Sequence, residues 1–269
     1  MTPPASDFLT RIGDQRRRRI DALRLATPGH VLRSRFTARP GGRFERALRR
    51  RDPREPLRLV CEIKRASPSR GVLRPDLDPV LMASLYEVGG ASAISIVTEP
   101  DHFMGELEWM DRVRAVSRLP LLLKDFVVDG YQLLDAAARG ADAVLLIAAL
   151  LGETQLQRLV GEAKILGLDP LVEVHDGGEL KIALRAGATL VGINNRDLRT
   201  LAVEPGTAAA LMPQVPPLVT AIAESGISTP ADLARLRATR CDAVLMGEVL
   251  MTSADPAATL ATLVAAARG

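Results

Sequence analysis

The sequence predicts an α/β fold, a (β/α)8 TIM barrel with an N-terminal helical extension. Three observations carry this expectation. Eight short runs rich in Val, Ile and Leu recur between residues 57 and 246. Segments with helical spacing separate them. The length, 269 residues, is near the usual size of one such barrel, although two small domains would also fit it. No low-complexity linker divides the chain, so residues 1–269 read as one domain.

The extension covers residues 1–56. It is Arg-rich and has no strand-like run. Phe8, Ile12, Ile20 and Leu23 predict an amphipathic helix, and Phe44 with Leu48 a second, shorter one. The run Arg16 to Arg19 reads as a solvated helix face; without aromatic interleaving it gives no case for nucleic acid.

The barrel covers residues 57–269. Its predicted strands are 57–63, 92–97, 120–124, 142–147, 170–174, 189–194, 218–223 and 242–246. Each is short and aliphatic, as a parallel strand buried on both faces should be. Between them lie helical patterns such as Leu133, Leu134 and Ala137, or Leu156, Leu159 and Val160. Asp129 and Thr229-Pro230 are helix-start signals. Strict alternation of strand and helix favours a closed barrel over an open doubly wound sheet. The absence of GxGxxG after the first strand counts against the dinucleotide-binding form of that sheet.

Composition excludes several classes. The net charge is only +3, and no apolar stretch reaches the roughly 18 residues of a membrane-spanning helix. No apolar run follows the N-terminal charges, so no signal peptide is expected. Cys61 and Cys241 form no CxxC pair and read as reduced thiols. His30, His102 and His175 lack metal-ligand spacing, and no Ser-His-Asp or Cys-His set appears. The expectation is a soluble, cytoplasmic protein, a monomer or weak homo-oligomer, with a small-molecule partner, no nucleic acid, no membrane and no metal.

In this fold, chemistry sits at the C-terminal ends of the strands. Those ends read Glu62-Ile63-Lys64, Lys124-Asp125-Phe126, Glu173-Val174-His175, Asn194-Asn195-Arg196, Glu224-Ser225-Gly226 and Gly247-Glu248. Residues two apart share a face, so Glu62 with Lys64, Lys124 with Phe126, Glu173 with His175, and Asn194 with Arg196 point together. Asp125 then faces the helix layer, where a buried ion pair is expected. The chain has only four lysines among 35 basic residues, and Lys64 and Lys124 both fall at predicted strand ends. Lysine can donate a proton, whereas arginine essentially never does. Both of the chain's asparagines, Asn194 and Asn195, end the sixth strand. Gly226 and Gly247, after strands seven and eight, fit the place where such barrels bind phosphate.

These residues resemble a known family. CEIKRASPSRG at 61–71, LLLKDF at 121–126, LVEVH at 171–175, VGINNRDL at 191–198, AESGI at 223–227 and MGEVLM at 246–251 are similar to indole-3-glycerol-phosphate synthase, in order, from about residue 57 to the end. The resemblance implies conversion of a carboxyphenylamino-deoxyribulose phosphate to indole-3-glycerol phosphate, with loss of carbon dioxide and water and no cofactor. It implies Lys124 as general acid on the sugar carbonyl and Glu173 as general base. Glu62 would support proton transfer, and Lys64 would hold the substrate carboxylate or donate a proton in dehydration. Asn194, Arg196 and Glu224 would orient the substrate. Ser67, Ser225, Gly226, Gly247 and Glu248 would border its phosphate, and Phe126 would pack near its ring. One departure stands after strand two. There the family usually has a Gly-Gly-Ser-like stretch and this chain has Met104-Gly105-Glu106, a loop expected near the substrate. Two other readings stay open. A different phosphate-binding barrel enzyme would not depend on both lysines, and a non-catalytic scaffold would have lost part of this set.

His175 is expected to be hydrogen-bonded and structural, and Trp109 to pack in the second barrel helix.

Overall fold

The computed structural model describes residues 8–269; residues 1–7 of the predicted extension lie outside the described residues. Eight parallel strands close into a barrel. They are β1 (Arg58–Ile63), β2 (Ala93–Val97), β3 (Leu121–Lys124), β4 (Ala143–Ile147), β5 (Asp169–Val174), β6 (Leu190–Asn194), β7 (Thr220–Glu224) and β8 (Ala243–Met246). Closure is the pairing of the first strand with the last, from Arg58↔Ala243 to Cys61↔Met246.

Alternation along each strand divides the core in two. Val60, Ala93, Leu122, Ala143, Leu145, Leu171, Leu190, Ile222 and Leu245 fill the barrel interior. Their neighbours, among them Cys61, Ile94, Leu123, Val172, Ile193 and Val244, face the helices. Glu62, Lys124, Glu173, Asn194 and Glu224 each stand two residues beyond an interior residue, so they share its face.

Among the described residues, three helices precede the barrel: α1 (Phe8–Ala26), α2 (Gly29–Arg35) and α3 (Arg43–Leu48). The sequence predicts the first and third. It gives little sign of α2, whose N-cap is Pro28 without a side-chain cap and which buries only Leu32. Helix α3 plugs the barrel floor, with Phe44 and Leu48 fully buried in the interior cluster. Its N-terminal amides, otherwise without partners, donate to the Asp169 carboxylate at 2.8 Å from Phe44 and 2.9 Å from Glu45. Helix α1 lies at the opposite end. Its Phe8 meets Phe126 edge-on at 6.4 Å between ring centroids.

The solvated face expected at Arg16 to Arg19 needs correction. Arg16 is buried, and its guanidinium pairs with Asp125 at 2.7 Å. The reason is spacing: Phe8, Ile12, Arg16 and Ile20 recur every four residues and form one stripe. The ion pair expected for Asp125 is therefore made with the extension, and Thr98 adds a hydrogen bond to the same carboxylate at 3.0 Å. Arg17 and Arg18 stay exposed. Arg16→Ala is expected to cost about 3–5 kcal/mol of stability, because it strands a buried carboxylate. Urea unfolding checks this; a loss below about 1 kcal/mol would mean that Asp125 finds another partner.

The outer layer comprises α4 (Pro79–Val88), α5 (Trp109–Val116), α6 (Gly130–Ala138), α7 (Ala148–Ile165), α8 (Gly177–Arg185), α9 (Thr207–Leu211), α10 (Pro230–Arg237), α11 (Glu248–Met251) and α12 (Pro256–Arg268). Asp129 caps α6 and Thr229 forms a capping box on α10, as their positions predict. Trp109 is fully buried at the start of α5, under the Arg65 guanidinium. Cys61 and Cys241 are buried free thiols. A two-residue antiparallel ladder, Ala66–Ser67 with Gly71–Val72, folds the loop after β1 and has no counterpart in the predicted elements. Among the described residues, no helix is long and apolar enough to cross a membrane.

Candidate active site

At the C-terminal ends of the strands lies an open cavity. Every site residue expected from the sequence lines it: Glu62, Lys64, Ser67, Lys124, Phe126, Glu173, Asn194, Arg196, Glu224, Ser225, Gly226, Gly247 and Glu248. The interior face of the barrel changes there from aliphatic to ionised.

Lys124 is at the centre. Its Nζ lies 3.3 Å from Glu173 Oε2 and 3.2 Å from Glu224 Oε2. Beside it, Lys64 Nζ meets Glu62 Oε1 at 2.7 Å. Burial alone would drive Lys124 to lose its proton, but the charges of Glu224, Glu173 and Glu62 outweigh burial and hold the ammonium form. Burial would also raise both carboxyls beside it. Glu173 is nevertheless held low by Lys124 and His175, whose Nε2 is 3.4 Å from Glu173 Oε1. Glu224 goes the other way: burial and the Glu173 charge exceed the pull of Lys124 and push it up to about 7. The two carboxylates compete for the one lysine between them, so together they hold a proton more readily than two free carboxyls would. Glu62 is lowered, because Lys64 and Lys124 outweigh its burial.

Two glycines make room for these carboxylates. A Cβ at Gly192, on the interior face of β6, would stand 2.0 Å from Glu224 Oε1, and one at Gly247 would stand 2.5 Å from Glu62 Oε1. Gly192→Ala is expected to destabilise the fold by about 1–3 kcal/mol, the usual cost of overpacking. Chemical denaturation checks it, and parental stability would mean that Glu224 swings aside freely.

The remaining residues shape the rim. Asn194 Oδ1 accepts the Arg196 N–H at 2.9 Å, and Arg196 Nη1 reaches Leu201 O at 2.9 Å and Ser69 Oγ at 3.2 Å. Asn195 faces away from the cavity; it donates to Ser225 O and accepts from Ala208 N, both at 2.8 Å. This ties the loop after β6 to a turn in which Ser225 and Gly226 both have positive φ, 62° and 69°. Glu248 pairs with Arg70 at 2.8 Å.

Sequence reasoning placed the loop after β2 near the substrate but missed which of its residues line the cavity. Glu99 and Phe103 line the cavity, whereas Met104, Gly105 and Glu106, expected near the substrate, do not. The Glu99 carboxylate accepts three backbone N–H groups, from Asp101 at 3.0 Å, His102 at 2.7 Å and Phe103 at 3.0 Å. That bundle turns Phe103 toward Phe126, 6.2 Å away. Gly105 is pressed against the strand, where a Cβ would lie 2.3 Å from Val97 O. Glu106 is taken by Arg65. The signal was available: Glu99 stands just past the end of β2, as the other site residues stand at theirs.

The chain resembles known proteins along nearly its whole length. The family model described as indole-3-glycerol phosphate synthase matches residues 9–263. A Chlorobium luteolum protein named indole-3-glycerol phosphate synthase is 44% identical over 249 residues, covering 92% of this chain and 94% of that protein. A protein of the same name from Dechloromonas aromatica is 41% identical over 261 residues, covering 97% of this chain and all of that protein. Among solved structures, a thiamine phosphate pyrophosphorylase from Pyrococcus furiosus aligns with a TM-score of 0.59 and 18% identity, over 80% of this chain and 98% of that one, a likeness of fold alone. This chain belongs to the indole-3-glycerol phosphate synthase family.

Proposed function

We propose that the protein closes the indole ring of indole-3-glycerol phosphate. Its substrate is 1-(2-carboxyphenylamino)-1-deoxyribulose 5-phosphate. The ring carbon bearing the carboxylate joins the sugar carbonyl carbon, and carbon dioxide and water leave. The observation that carries this reading is Lys124, held as an ammonium between Glu173 and Glu224 with the Lys64–Glu62 pair beside it.

The chemistry follows from these positions. As the carbon–carbon bond forms, the carbonyl oxygen gains a pair of electrons, and Lys124 gives it a proton. A developing alkoxide is more basic than an amine, so a lysine held protonated against carboxylates still donates to it. Loss of carbon dioxide returns the electrons of the broken bond to the ring and restores its aromaticity. Dehydration then needs an acid and a base. Lys64 protonates the departing hydroxyl, and Glu173 takes the proton from the adjacent sugar carbon next to nitrogen, leaving the new double bond. Glu173 becomes more basic at this moment because the neighbouring Lys124 has lost its charge. Two protons are given, and both leave in the water molecule; one is taken from carbon, and the net proton consumed balances the negative charge lost when the carboxylate departs as neutral carbon dioxide. The 3.3 Å Glu173–Lys124 contact lets the captured proton return to the lysine.

Phe126, backed by Phe8 and Phe103, suits the aromatic ring of the substrate. Asn194 and Arg196 orient the sugar, and Glu62 supports transfer from Lys64. Ser67, Ser225, Gly226, Gly247 and Glu248 border the phosphate, in the loops where this fold commonly binds one. The extension and the barrel act as one domain on this reading, because Arg16 is anchored beside Lys124 through Asp125. Purified protein mixed with the substrate, without added metal, should show the rising fluorescence of an indole. Folded protein that leaves the substrate unchanged would overturn the proposal.

A further inference from the structure

Behind Glu173 the row of ionisable groups continues through His175, Glu179 and Arg199, which the mechanism above leaves unused. Glu173 turns Oε2 to Lys124 and Oε1 to His175 Nε2 at 3.4 Å. Neither Glu173 Oε1 nor His175 Nε2 has another hydrogen-bond partner among the described residues. The second ring nitrogen, Nδ1, lies 3.0 Å from Glu179 Oε2, which also accepts the His175 backbone N–H at 2.8 Å. The other Glu179 oxygen meets Arg199 Nη2 at 3.0 Å. The side chains of Glu173, His175 and Glu179 are 1%, 8% and 7% exposed, whereas Arg199 is 44% exposed. From surface to cavity the order is Arg199, Glu179, His175, Glu173, Lys124, and the signs alternate.

The local sequence builds this row. His175 follows Glu173 by two residues at the end of β5. Glu179 is the third residue of α8, whose N-cap Asp176 accepts the Glu179 N–H at 2.8 Å. A carboxylate suits that end of a helix. Glu173 thus lies between two basic groups, Lys124 on the cavity side and His175 behind it.

We propose that His175, oriented by Glu179, is a positioning residue for Glu173. Its protonated ring holds one carboxylate oxygen from behind, aims the other at Lys124 and the substrate, and remains as counter-charge once Lys124 has given up its proton. This rests on the reading of Glu173 as the base. Burial opposes a charged His175, but Glu173 on β5 and Glu179 on α8 outweigh it and push the imidazole up to about 10. Arg199 faces the ring only through Glu179.

Two measurements test the proposal. The first needs no turnover. Nitrogen NMR of the parent's His175 ring is expected to show both nitrogens protonated at about pH 8, above the ordinary histidine range; a neutral ring overturns the proposal. The second is the pH dependence of kcat/KM in the parent, His175→Gln and Glu179→Gln. Glu173 must be ionised to act, and without the His175 charge it binds its proton more tightly. The acid limb of His175→Gln should therefore move up by about one pH unit. KM should stay within about twofold while kcat falls. Glu179→Gln should move the limb the same way by less, and it carries the test if His175→Gln fails to fold. An unmoved acid limb, even with a lower melting temperature, would make His175 a mere staple between β5 and α8. A charged His175 ring in a parent that forms no indole would count against the functional reading alone.

Discussion

Lys124→Arg is expected to fold like the parent and to lose at least about 10² in kcat, the low end for a missing acid–base group. Arginine keeps the charge that Glu173 and Glu224 require at 3.3 and 3.2 Å, so neither carboxylate is left buried and alone. Stability should therefore survive. Turnover should not, because a guanidinium does not surrender its proton to a forming alkoxide. Its planar fork also grips a carboxylate through two bonds, which would draw Glu173 or Glu224 away from the substrate. Thermal melting and steady-state kinetics on one preparation separate the two effects. A stable variant with near-parental kcat would make Lys124 an electrostatic fixture and move the first proton transfer to Lys64.

Glu173→Gln is expected to lower kcat by about 10² to 10⁴. The amide matches the carboxylate in shape but cannot accept a proton. The change also removes the one negative charge between Lys124 and His175, so the two cations lose their shared partner. The melting temperature should move less than turnover, since Glu224 still pairs with Lys124 and Glu179 with His175. Kinetics by indole fluorescence, with circular dichroism on the same sample, would show it. A rate within about twofold of the parent would remove Glu173 from the mechanism.

The barrel was legible because its strands announce themselves. A run such as residues 143–147 is aliphatic on both faces, and only a sheet buried on both sides needs that. The site was legible for the same reason in reverse, since Glu62, Lys124, Glu173 and Glu224 interrupt the interior face where apolar residues should continue. Arg16 was misread because a run of four arginines looks like surface. Only the four-residue step from Phe8 through Ile12 to Ile20 shows which one turns inward. Glu99 was missed because its work is done through backbone amides of a loop whose path no periodicity describes. The pairing of Glu173 with His175 could be anticipated from their spacing on one strand. The reach of Glu179 back to that histidine could not, since it depends on how α8 packs against β5.

The floor helix has a consequence for how the chain is made. Synthesis runs from the N-terminus, so α3 exists long before its partners. The acceptor for the Phe44 amide is Asp169, 125 residues later, and that for the Arg50 amide is Asp242, 192 residues later. The barrel itself closes only when β8 reaches β1. Until Asp169 and then Asp242 emerge, these amides have no such acceptor, and contacts so distant in sequence form slowly. Hydrogen exchange at the Phe44 and Glu45 amides would report docking of α3 on β5: fast in a nascent chain stopped short of Asp169, slow in the finished one.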